Sequence, residues 1–96
     1  MGSTLSLPPQ NVDVEEAILG GILLDPDAIA RVIDILPPEA FFTHSHQEIY
    51  RACIKLHEKN QPTDLMNVVT HLLDHNRLEL VGGQQILVHL VDRTVS

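Results

Sequence analysis

Tryptophan is absent and aromatic residues are few: Phe41, Phe42 and Tyr50 complete the set. Proteins that bind single-stranded nucleic acid stack bases on several exposed rings set among positive charge, and this chain has too few rings for such a platform. Cysteine is nearly missing as well. Cys53 stands alone, which excludes an internal disulfide and fits a reducing compartment. Positive charge is scarce: six Lys and Arg face thirteen Asp and Glu, for a formal net charge of −7. No apolar run approaches the roughly 20 residues needed to cross a bilayer, and no signal peptide is visible.

The shortage of positive charge is uneven. Between Asn11 and Ala40, Asp13, Glu15, Glu16, Asp25, Asp27, Asp34 and Glu39 are opposed by Arg31 alone, whereas acids and bases nearly balance from Phe41 onward. Phosphate backbones are gripped by clustered Lys and Arg, so the first third should repel nucleic acid, and no direct nucleic-acid binding is expected of this chain. A phosphate-binding loop is also missing. Its GxxxxGK[ST] spacing follows a buried strand and ends in the Lys that reaches the phosphates. Here Gly20-Gly21 precedes Ile22-Leu23, and Gly82-Gly83 precedes Gln84-Gln85. No nucleotide or other cofactor site is read from either pair.

What is present is helical periodicity in a chain of 96 residues, the size of one domain. Residues 1–6 read as a tag or flexible leader and residues 7–96 as a single folded unit. Val14, Ala17, Ile18, Gly21 and Ile22 recur at i, i+3, i+4, i+7 and i+8, with Asn11 or Asp13 as cap. Leu19 and Leu23 flank that stripe, and Glu15 and Glu16 complement the positive end of the helix dipole. Asp25-Pro26 starts a second helix through Ile29, Val32, Ile33 and Leu36, which Pro37-Pro38 stops. Glu39 to Phe42 form one tight turn with both Phe residues turned into the core. A third helix begins at Thr43 or Ser45 and carries Ile49, Ala52, Cys53 and Leu56 inward. Thr63 caps a fourth helix through Leu65, Val68, Val69, Leu72 and Leu73, ending near His75-Asn76. Arg77 to Val81 read as an extended connector, and Gly82-Gly83 turn the chain into a last helix from Gln84 to about Thr94. The fold class is therefore all-α, a compact bundle of about five to six short helices.

Two glycines in the middle of a helix cost about 1 kcal/mol each relative to Ala, so Gly20 and Gly21 predict close packing of another element against the backbone. Six histidines raise the question of metal. His71 and His75 lie one helical turn apart, but HLLDH lacks the Glu of a zincin and no third ligand follows at a recognisable spacing. No metal site is assigned. Cys53, on the apolar stripe between Ala52 and Ile54, reads as a small buried hydrophobe. Ser6, Ser45 and Ser96 sit in no nucleophile elbow, and adjacent helical carboxylates such as Glu15 and Glu16 diverge. No catalytic residue is assigned.

One ordered set of short motifs says more. Pro8-Pro9-Gln10-Asn11, the Glu15-Glu16 pair, Leu19-Gly20-Gly21, Leu23-Leu24-Asp25, Phe41-Phe42, His46 before Ile49-Tyr50, Pro62-Thr63-Asp64 and Gly82-Gly83 follow one another along the chain. In this order they resemble the N-terminal domain of the replicative DNA helicase of bacteria and plastids, the DnaB type, over roughly residues 7–96. The resemblance implies a ring-shaped hexamer whose ATP- and Mg-binding motor lies in a separate C-terminal domain. It also implies an N-terminal collar that supports assembly and recruits primase, in the bacterial cytoplasm or the plastid stroma. On this reading the chain is the globular head of the collar, ending before the helical hairpin through which relatives pair. His46 matches a His recurring before the family's third helix, with hydrogen bonding inside the fold as its expected role. Many relatives carry an aromatic, often Tyr, three residues after the second Gly of the later pair; here that position is Ile86. Ile86, Leu87 and Leu90 are the expected partner-binding residues. The alternative from another class is a stand-alone helical protein–protein adaptor without a motor.

Overall fold

The structure is a computed structural model, and it describes residues 11–95. The leader, most of the Pro-Pro-Gln-Asn lead-in, Ser6 and Ser96 lie outside the described residues. Among the described residues five α-helices are joined by short turns: α1 Val12–Leu24, α2 Ala28–Val32, α3 His44–Glu58, α4 Leu65–Asp74 and α5 Gln84–Val95, with a 3₁₀ turn at Pro38–Ala40. There is no strand among the described residues. α1 lies chiefly along α5 and also meets α3 and α4, while α3 packs on α4, α2 and the 3₁₀ turn.

Local chemistry sets the helix ends. Asn11 caps α1, its side-chain oxygen accepting from the backbone N–H of Val14 at 3.2 Å. α2 begins one turn after Asp25, whose carboxylate accepts from the N–H of Asp27 at 3.0 Å. α3 and α4 stop in the same way. Asn60 (φ 58°) and Asn76 (φ 57°) adopt the left-handed conformation, and the next residue reaches back: Gln61 N–H to the Leu56 carbonyl at 2.9 Å, Arg77 N–H to the Leu72 carbonyl at 2.7 Å. These bonds span five positions, the Schellman stop, and a short amide side chain tolerates it where a branched one would not.

The stretch Arg77 to Val81 is not extended. Val81 N–H returns to the Arg77 carbonyl at 3.2 Å and Gly83 N–H to the Leu78 carbonyl at 2.9 Å, so these residues coil into a third copy of the same stop with Gly82 at φ +105°. Val81 is thereby buried, Leu78 packs against the core, and Leu80 is left exposed.

The core is filled by Leu19, Ile22 and Leu23 of α1, Ile29, Leu36, Phe41, then Ile49, Tyr50, Cys53 and Leu56 of α3, with Val68, Leu72, Leu87 and Leu90. The inward face of α1 is thus turned from the expected stripe: Ala17 is exposed, and Leu19 and Leu23 are central instead of flanking. Phe41 and Phe42 also part company. Phe41 packs against Tyr50 with ring centroids 5.1 Å apart, whereas Phe42 follows it in extended backbone and remains 60% exposed. Burial pushes the Tyr50 phenol up to about 12, and its hydroxyl donates to the Leu36 carbonyl at 2.7 Å. Thr63 does not cap α4. Asp64 takes that position, and the buried Thr63 hydroxyl donates to the Ile22 carbonyl of α1 at 2.9 Å, tying the α3–α4 connection to the opposite side of the core.

Candidate functional site

Three features of the molecule concentrate chemistry: a closed junction between α1 and the start of α3, a basic groove between α3 and α4, and an apolar outer face on α4.

At the junction, Glu15 is fully buried. Its Oε2 accepts from the backbone N–H of Phe42 at 2.6 Å, and its Oε1 accepts from the N–H of Thr43 at 3.3 Å and lies 2.7 Å from His46 Nδ1. Thr43 makes no side-chain cap of its own, so a carboxylate from α1 covers the free donors at the N-terminus of α3, where the helix dipole favours negative charge. Burial pushes the Glu15 carboxyl up, but the hydrogen bonds from His46, Phe42 and Thr43 outweigh it and hold the group below its usual 4.5. Beside that carboxylate His46 Nδ1 carries the proton and donates. His46, 4% exposed, therefore hydrogen-bonds inside the fold. The role of Glu15 was hidden because acids in the first turn of a helix usually face water. The signal is its spacing: Glu15, Leu19 and Ile22 lie at i, i+4 and i+7, on the covered face.

The two central glycines differ. A Cβ on Gly20 would collide with the Thr94 hydroxyl and come within 2.6 Å of the Leu90 carbonyl, so glycine here lets α5 lie against the backbone of α1. Gly21 has nothing within 4 Å of where its Cβ would be. The close-packing role read for both belongs to Gly20 only, because adjacent helical residues point about 100° apart. The same seam is laced by Arg93, whose Nε lies 3.1 Å from Glu16 and whose guanidinium lies 3.8 Å from Asp13.

The partner-binding reading of α5 needs correction. Leu87 and Leu90 are 0% exposed and belong to the core, so they offer no surface to a partner in this fold. Ile86 is half-buried and packs beside Gly82. The last helix is covered by both α1 and α4, which takes Leu87 and Leu90, the centre of its apolar stripe, into the core. Among the exposed apolar side chains, Val95 (65%) closes α5, and Met66 (73%) and Leu73 (60%) lie seven residues apart on one face of α4.

The groove between α3 and α4 encloses about 370 Å³ and is lined by Glu48, Arg51, Ala52 and Lys55 of α3 with Lys59 at its end, His71 and Leu72 of α4, and His75 and Arg77 beyond it. The imidazoles of His71 and His75 stack with centroids 4.1 Å apart, and His75 Nδ1 lies 2.8 Å from the His71 carbonyl. Burial, then His75 and the Lys59 charge, hold His71 below its ordinary 6.5. Among the described residues no three His, Cys, Asp or Glu side chains gather as a metal set. Cys53 is buried, and desolvation pushes its thiol up to about 12, so it is no nucleophile at neutral pH.

Comparison with known proteins sets this fold in context. Residues 7–96 match the family model of the DnaB-like helicase N-terminal domain. The chain belongs to that family. It is 51% identical over 96 residues to the replicative DNA helicase DnaB of Synechocystis, covering all of this chain and 11% of that protein. It is 54% identical over 90 residues to the DnaB of Nostoc, covering 94% of this chain and 10% of the relative. Among solved structures, the crystal structure of the N-terminal domain of DnaB helicase from Mycobacterium tuberculosis superposes with a TM-score of 0.83 at 36% identity. It covers 90% of this chain and 60% of that one. The chain thus spans about a tenth of the length of the two cyanobacterial helicases. No helix among the described residues is long and apolar enough to cross a membrane.

Proposed function

We propose that residues 7–96 are the globular head of the N-terminal collar of a replicative DNA helicase. The head is a non-catalytic module that supports assembly of a hexameric ring and recruits primase at the replication fork. ATP and Mg are held by a separate motor domain, and the whole protein works in the bacterial cytoplasm or the plastid stroma. The observation that carries the protein-binding half of this reading is the outer face of α4. Met66 and Leu73 remain exposed after folding although sixteen apolar residues are buried in the core. Large apolar side chains aligned on one helix face are the usual surface for a protein neighbour. The non-catalytic half is supported by the chemistry of the candidate groups: Cys53 is buried and Glu15 and His46 are closed off from substrate by the core.

The test is removal of the head from the full-length helicase. The headless protein is expected to keep nucleotide hydrolysis while losing primase binding in titration calorimetry and losing ring stability in light scattering. A headless helicase that recruits primase and assembles normally would refute the proposal. The isolated head should bind primase more weakly than the ring does, since presenting several linked copies raises apparent affinity by roughly 10²–10⁴.

A further inference from the structure

Four of the six Lys and Arg residues of this acidic chain, Arg51, Lys55, Lys59 and Arg77, line one groove. The last turn of a helix attracts cations on its own account, but Arg51 lies in the middle of α3 and Arg77 lies beyond the end of α4. Arg51, Lys55 and Lys59 are spaced i, i+4 and i+8, so they form a row along one edge of α3 with steps of about 6 Å. His71 and His75, also one turn apart, line the facing wall, and a second hollow of about 170 Å³ continues the groove past Lys59, Asn67 and Thr70. The floor is apolar, made by Ala52 and Leu72.

Some of the positive charge is already answered. Arg51 pairs with Glu48 at 3.0 Å and Glu39 at 3.3 Å, Arg77 with Glu48 at 3.6 Å, and Lys55 with Glu58 at 4.0 Å. Among the described residues no carboxylate pairs with Lys59, and the Lys55 side chain is 66% exposed. We propose that the α3–α4 groove is a docking site for an acidic amphipathic helix of a partner protein, with carboxylates one turn apart meeting Arg51, Lys55 and Lys59 and an apolar residue resting over Ala52 and Leu72.

Three observations favour a helix over a phosphate ligand. The cations form a row about 12 Å long, whereas a single phosphate engages one or two of them. None of the residues lining the main groove, where the row of cations lies, is in the first turn of a helix, so no backbone N–H cradle is offered there to a dianion. The alkyl stems of Lys55 and Lys59 and the apolar floor suit side chains laid lengthwise, as in helix-in-groove recognition. Extended nucleic acid meets the remaining surface of a chain with net charge −7.

A helix-forming peptide with glutamate at every fourth residue and leucine between is titrated into the whole chain, followed by calorimetry and by backbone amide shifts. Its counterpart with glutamine in place of glutamate serves as control. The expected result is saturable, salt-sensitive binding with shifts confined to α3, α4 and the Arg77 turn, and no saturation by the glutamine peptide. The double variant Lys55→Ala/Lys59→Ala, both exposed and outside the core, should keep the circular dichroism of the parent and bind about fivefold more weakly. Equal binding of the two peptides, shifts on another face, or no binding at all would overturn the assignment. So would displacement of the peptide by pyrophosphate or a short oligonucleotide, which would show a phosphate site. Because the probe contains no primase, failure here leaves the collar reading standing, and failure of that reading leaves this one standing.

Discussion

The α1–α3 junction and the α3–α4 groove use the same kinds of side chain to opposite ends. At the junction, Glu15 and His46 are shut inside the protein, and every oxygen of the carboxylate has a donor. In the groove, Glu48 meets Arg51 and Arg77 at comparable distances, but both Arg side chains are at least 40% exposed. Burial decides what such a pair is worth. In water an ion pair contributes little, because solvent competes and long side chains lose entropy. Inside, the attraction is strong but desolvation is costly, so the pair is weak evidence for net stability while the loss of one partner is severe. The junction therefore holds the fold together, and the groove leaves its charges available.

The largest expected effect breaks the junction. Glu15→Ala strands the Phe42 and Thr43 N–H groups and the His46 ring, and should cost about 3 kcal/mol of stability in urea denaturation. A loss below about 1 kcal/mol would show that water replaces the carboxylate. Next comes the α1–α5 seam: Gly20→Val must displace Thr94 or the Leu90 backbone, and should cost about 2 kcal/mol through overpacking. Gly21→Ala, with open space around it, should instead raise stability by up to about 1 kcal/mol. Similar melting temperatures for the two variants would erase the distinction between the glycines.

A pH series probes the junction. The folded pKa of Glu15 lies below its ordinary 4.5, so the unfolded chain takes up its proton first as pH falls. The stability contributed by Glu15 is fully present above 4.5 and is lost as pH drops through the lower folded value. Denaturation midpoints measured downward from pH 5 should decline, and Glu15→Gln should flatten that decline. An identical decline in the variant would assign the acid sensitivity to other carboxylates. Smallest of all, Lys55→Ala should change stability by no more than about 0.5 kcal/mol. A larger loss would mean that the groove is structural.

Much of this fold was legible in the one-dimensional pattern. The 3.6-residue recurrence located the helices, His75-Asn76 marked the end of the fourth and Gly82-Gly83 the turn into the last, and the central glycine pair pointed to a close approach that the structure assigns to Gly20. The motif order carried the family. Other features were not legible, for one physical reason. Periodicity states which residues share a helix face; it does not state how many faces are covered. α5 is roofed by α1 and α4, so Leu87 and Leu90, a natural docking stripe on an isolated helix, became core. Glu15 looked like a solvated helix start until Phe42 and Thr43, just before α3, and His46 in its first turn supplied three donors from 27 to 31 residues away. Phe42 looked as apolar as Phe41, yet extended backbone turns successive side chains to opposite sides and only one faces inward.

Arg51, Lys55 and Lys59 share an edge by helical geometry alone, so their alignment was settled by the sequence. That the edge faces His71, His75 and Arg77 across a groove was settled by the packing of α3 on α4. The amino-acid order by itself determined the helices, the shortage of positive charge and the family, because these depend on neighbours a few residues apart or on composition. Only the tertiary structure decided which carboxylate is buried, which glycine is crowded and where the scarce cations gather. Those outcomes depend on contacts between segments far apart in the chain, and burial changes the energy of a charge far more than its position in the sequence does.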